Sequence, residues 1–157
     1  MTSRSTSAGI RRLLLLLLSF GIATTTVDLM LLDHHEDVRQ YAPLVLNGLA
    51  IITIIWHVAS GSATSLRVLQ MLMVFFVLAA VLGVTFHYQG NLEFQLEINP
   101  EQPSWDLFTK VIRAKAPPLL APGAMAQLGF LGLIYTYRHP ALTPVSALET
   151  HTSGDQP

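Results

Sequence analysis

MLMVFFVLAAVLGVTF, residues 71–86, is an almost unbroken apolar run without a charged residue. Extended back to Leu66, it has the roughly 20 residues that a helix rising about 1.5 Å per residue needs to cross a bilayer. Three further stretches share this character. Leu13–Leu32 opens with six consecutive leucines and carries Asp28 as its only charge. Tyr41–Ala59 contains Asn47 and His57 but no formal charge, and Pro118–Tyr137 is rich in Gly and Ala. The pattern predicts an all-α integral membrane protein with four transmembrane helices in a compact bundle, over residues 13–32, 41–59, 66–86 and 118–137. The membrane domain covers residues 10–140, with an outer cap at 87–117 and unstructured polar tails at 1–9 and 141–157.

Composition agrees with this reading and removes several chemistries. Charged residues make up 12% of the 157-residue chain, about half the usual share, because the spans exclude them. The chain has no cysteine, which excludes disulfides, thiolate zinc sites and iron–sulfur clusters. With 9 Lys and Arg against 10 Asp and Glu, it offers no polybasic surface for nucleic acid.

Basic residues near the first span set the expected orientation. Arg4, Arg11 and Arg12 precede it and only Arg39 lies in the loop that follows, so the N-terminus is predicted to be cytoplasmic. Four crossings return the C-terminus to the same side, making a multi-pass protein of the cell membrane. A secretory signal peptide is the competing reading of residues 11–23. Against it, Val27–Leu32 extends the apolar segment to full crossing length.

Between the third and fourth spans the pattern changes period. From Asn91 to Asn99, Leu92, Phe94, Leu96 and Ile98 alternate with Glu93, Gln95 and Glu97, which predicts a short strand. Ser104 then reads as the N-cap of a short helix with Asp106 in its first turn. On that helix Trp105, Phe108 and Ile112 share one face, flanked by Lys110, Arg113 and Lys115. An interfacial amphipathic helix follows, anchored to lipid by Trp105, Lys110, Arg113 and Lys115.

Ionizable groups in or beside the spans are the candidates for chemistry. Gly21, Thr24, Thr25, Asp28 and His35 fall on one helical stripe, so Asp28 is a candidate proton or cation site facing other helices. At the outer end, His34, His35, His87, Glu93 and Glu97 are candidate ligands for a transition metal, although their spacing matches no metal signature. Haem has less support, since His57 and His87 lie at opposite depths. Neither a nucleophile elbow nor a phosphate loop occurs. Gln127 and Asn47 are expected to hydrogen-bond across helices, and Pro122-Gly123 to loosen the fourth span and open a pocket on the outer half.

In its preference for Arg over Lys and its short loops the chain resembles small four-span proteins of the bacterial inner membrane, a resemblance that implies architecture and no activity. The expected function is a noncatalytic structural, accessory or partner-binding subunit. Its partners would be the bilayer and a membrane protein or a second copy. The alternatives are a small transporter using Asp28 and a metalloprotein with a site on the outer face.

Overall fold

The computed structural model describes residues 3–32 and 40–142, with side chains from residue 6 onward. Every described element is helical: α1 (Ser3–Leu31), α2 (Tyr41–Ser60), α3 (Ala63–Ile98), α4 (Ser104–Ile112) and α5 (Leu120–Thr136), followed by a short 3-10 turn at Pro140–Leu142. By length and composition α1, α2 and α3 are each able to cross a membrane. Helix α5 is apolar but shorter, at 17 residues. The four long helices touch in cyclic order, α1 against α2, α2 against α3, α3 against α5 and α5 against α1. Their shared core includes Leu18 and Ile22 of α1, Ala50 and Ile54 of α2, Met73 and Phe76 of α3, and Met125 and Leu128 of α5.

Sequence punctuation explains most boundaries. Gly61 takes a left-handed φ of 59° and its N–H bonds to the His57 carbonyl at 2.8 Å, ending α2. The hydroxyl of Ser62 then accepts the Ser65 N–H at 3.1 Å, starting α3. This minimal turn leaves the last turn of α2 beside the first turn of α3. Helix α3 runs for 36 residues and stops where Asn99 precedes Pro100, a position disfavoring helical backbone. In α4, Pro103 caps and Ser104 is already helical, one residue from the expected start.

Three expectations are corrected. Residues 91–98 form no strand; they continue α3. On a helix, a two-residue alternation puts Leu92 and Leu96 on one side and Phe94 and Ile98 on the other. The segment around α4 selects among these sides: Asn91 donates to the carbonyls of Val111 in α4 (3.3 Å) and of Ala116 beyond it (3.0 Å), and Gln102 in the preceding loop donates to that of Gln95 (2.9 Å). The tail expected before residue 10 is helical from Ser3. Pro122 does not loosen α5: it sits in the first turn, where its missing N–H costs no hydrogen bond, and packs on Gly83.

Close approach of α5 to α3 depends on glycine. A Cβ at Gly129 would lie 2.8 Å from a Val77 methyl and 2.9 Å from the Met73 carbonyl oxygen, a backbone atom that cannot swing away. A Cβ at Gly123 would meet nothing within 4 Å. Gly129→Ala is therefore expected to destabilize the protein by about 1–3 kcal/mol. Gly123→Ala should be neutral or slightly stabilizing, and thermal unfolding in one detergent compares the two.

Candidate functional site

The positions singled out from sequence do not converge on one site. Asp28 is exposed on the last turn of α1. The buried line of that helix is Leu18, Ile22 and Leu29, and Asp28 sits about a quarter turn away from it. Thr24 and Thr25 of the same stripe donate to the carbonyl of Gly21, and Thr24 also to that of Phe20. Continuous helix separates the candidate metal ligands of α3. Glu93 and Glu97 are one turn apart and both exposed, whereas His87 lies about 9 Å and 15 Å from them along the axis and on another face. His34 and His35 lie outside the described residues. Among the described residues, no group of three His, Asp or Glu side chains is placed to hold a metal ion. The expected cross-helix bonds are also corrected: Gln127 is exposed, and Asn47 is wholly buried with neither amide atom bonded.

A cleft of about 450 Å³ does open on the expected half. Leu29, Pro43, Leu82 and Phe86 give it an apolar surface, with His87 and Asn91 farther along α3.

The best-built polar constellation is at the opposite end, where α1 and α3 begin and α2 and α5 finish. His57 is at its center. Its Nδ1 lies 3.1 Å from Ser65 Oγ and its Nε2 lies 2.9 Å from the Tyr135 hydroxyl. The single hydroxyl proton of Ser65 is directed at the Ser62 carbonyl, 2.8 Å away. A consistent assignment therefore puts the ring proton on Nδ1, donating to Ser65, while Nε2 accepts from Tyr135. His139 adds an aromatic edge, its ring centroid 5.6 Å from that of His57 and 5.4 Å from that of Tyr135.

Arg11 of α1 closes this end. Its Nη1 donates to the carbonyls of Tyr135 (3.0 Å) and Tyr137 (3.2 Å), and its Nη2 to that of Arg138 (2.9 Å). A cation thus meets the unsatisfied carbonyls and the negative end of α5. Arg138 itself has a left-handed φ of 47°, which is strained for a residue other than glycine, and its carbonyl bond to Arg11 holds that turn.

Sequence spacing conceals this cluster, because Tyr135 is 78 positions from His57 and 124 from Arg11. Depth reveals it. Arg11, His57, Ser65, Tyr135 and His139 all lie near the apolar-helix ends that meet on one side of the molecule.

No protein-family model, curated protein or solved structure matches the chain. Its own side chains must carry the functional reading. Buried His57 and Ser65 bond to partners inside the protein, so this arrangement acts as a clasp joining α2, α3 and α5.

Two outcomes follow. Tyr135→Phe leaves His57 Nε2 without its donor and is expected to destabilize the protein by about 1–3 kcal/mol in thermal unfolding. His139 is held below its ordinary value, first by burial and then by the positive charge of Arg11. With the folded value depressed, the unfolded chain binds more protons as pH falls below about 6.5, so stability present above that pH is lost on acidification. Melting temperature should fall between roughly pH 7 and 5, and His139→Gln should flatten that dependence.

Proposed function

We propose that the protein is a noncatalytic integral membrane subunit that crosses the bilayer four times and docks a membrane protein partner through the cap formed by α4 and the end of α3. The observation that carries this reading is the unburied face of Phe94 and Ile98, at 59% and 65% exposure, on a helix that outruns the membrane. Helix α3 is about 54 Å long against a hydrocarbon thickness of about 30 Å. Helix α4 covers another side of this extension, leaving Phe94 and Ile98 open beside the exposed pair Glu93 and Glu97. A fitting partner presents apolar anchors flanked by Lys or Arg.

Helix α5 serves as the fourth crossing in this reading, since 17 residues lie at the short end of the spanning range. Arg11, Arg12, Arg67 and Arg138 at one end favor placing it and both termini in the cytoplasm. Trp105, exposed at 71% and stacked on Phe108 with ring centroids 5.6 Å apart, suits the opposite headgroup layer, with Lys110, Arg113 and Lys115 as flanking cations. The noncatalytic reading draws on the clasp, where His57 is engaged by Ser65 and Tyr135 and so serves to join helices.

Photo-crosslinkers at Phe94 and Ile98 in native membranes test the docking. A discrete adduct with one protein or with a second copy is expected from both positions and not from lipid-facing Met71. The purified pair should weaken at least about tenfold in Phe94→Glu, Ile98→Glu with unchanged melting. A monomer in nanodiscs that yields no adduct from either position would refute it.

A further inference from the structure

The end of the bundle opposite the cap carries a recess that the docking reading does not use. It measures about 730 Å³ and lies between the start of α1 and the end of α5, lined by Ala8, Arg11, Arg12, Leu15, Tyr135 and His139 among others. Its two arginines are in different situations. Arg11 is fixed by its three carbonyl bonds, and its charge answers the negative end of α5. Arg12 is exposed and makes none of those bonds.

No described carboxylate is near enough to neutralize Arg12. Glu93 and Glu97 are at the far end of α3, Glu101 and Asp106 are in the cap, and Asp28 is about 24 Å farther along α1. His139 contributes a donor. Its Nδ1 accepts the Ala141 N–H at 3.2 Å, which places the neutral ring's proton on Nε2. The recess therefore combines a fixed cation, an exposed cation with no carboxylate beside it among the described residues, and the His139 imidazole with an apolar wall at Ala8 and Leu15.

From this combination we infer that the recess binds a phosphate group, with Arg12 as its principal contact. The planar guanidinium matches paired phosphate oxygens, and fixed Arg11 adds positive field without needing to reorganize. The volume exceeds that of the anion alone, and the apolar wall accommodates the carbon skeleton attached to it. An anionic phospholipid headgroup and a soluble phosphate compound share this chemistry.

The test uses the intact full-length protein in detergent. Native mass spectrometry compares retention of phosphatidic acid with that of phosphatidylcholine, and calorimetry follows inorganic phosphate. Wild type is expected to retain phosphatidic acid preferentially or to bind phosphate. Arg12→Gln should weaken that binding about tenfold or more with unchanged melting, because its side chain is exposed. Arg67→Gln removes a charge from the same end but outside the recess and should leave binding intact. If inorganic phosphate displaces the lipid or binds alone, the ligand is a soluble compound; if it does neither while phosphatidic acid is retained, the ligand is a headgroup. Absence of both preferential lipid retention and phosphate binding would overturn the inference, as would an equal loss in Arg67→Gln, which would mark the effect as bulk charge.

Discussion

The close contact of α5 with α3 at Gly129 is the constraint from which the rest of the arrangement follows. Apolar helices in lipid gain little hydrophobic energy by associating, so their registry depends on how surfaces interlock. Here the interlock is specific. Gly129 admits Val77 and the Met73 backbone, Gly132 admits the Met73 side chain, and Gly21 of α1 receives Leu128 from the same helix. These three seats fix α5 along its length. Tyr135 then falls opposite His57, and the last carbonyls of α5 fall within reach of Arg11. The clasp is downstream of packing: its atoms meet because a column of absent side chains lets two backbones approach.

The three long apolar helices were legible because long apolar runs have few alternatives, and the α4 helix was legible because Pro103, Ser104 and Asp106 punctuate its start. The end of α3 was misleading for a definite reason. Alternation from Leu92 to Ile98 is the mark of a strand only when one side of the segment is covered and the other is wet. As part of a helix it distributes apolar groups to opposite sides, and only contact with α4 decides which are sheltered. Asn91 makes that contact through the Val111 carbonyl and Gln102 ties the connecting loop back to α3, polar residues to which periodicity assigns no partner.

Chemistry-bearing residues were harder to read than spans. Asp28 differs from Leu29 by one position, yet that step takes it from the sheltered side of α1 to the open one. Tyr135 resembles any aromatic near the end of an apolar run until the fold places a histidine against it. Asn47 shows the opposite case. Its carboxamide is fully enclosed with both polar atoms unpaired, unlike His57 on the same helix face, where both ring nitrogens are engaged. One face of α2 therefore carries a satisfied polar group near its end and an unsatisfied one two to three turns earlier, where burial of the carboxamide is a cost that packing must offset.

An unbroken α3 has a mechanical meaning. A proline or a turn at the membrane boundary would uncouple the cap from the span; instead one hydrogen-bonded ladder runs from Ala63 to Ile98. A change of bilayer thickness alters helix tilt, and a stiff rod converts that tilt into sideways travel of its projecting end, amplified by the length of the overhang. The end at Ile98 therefore cannot reorient independently of the apolar stretch that precedes it.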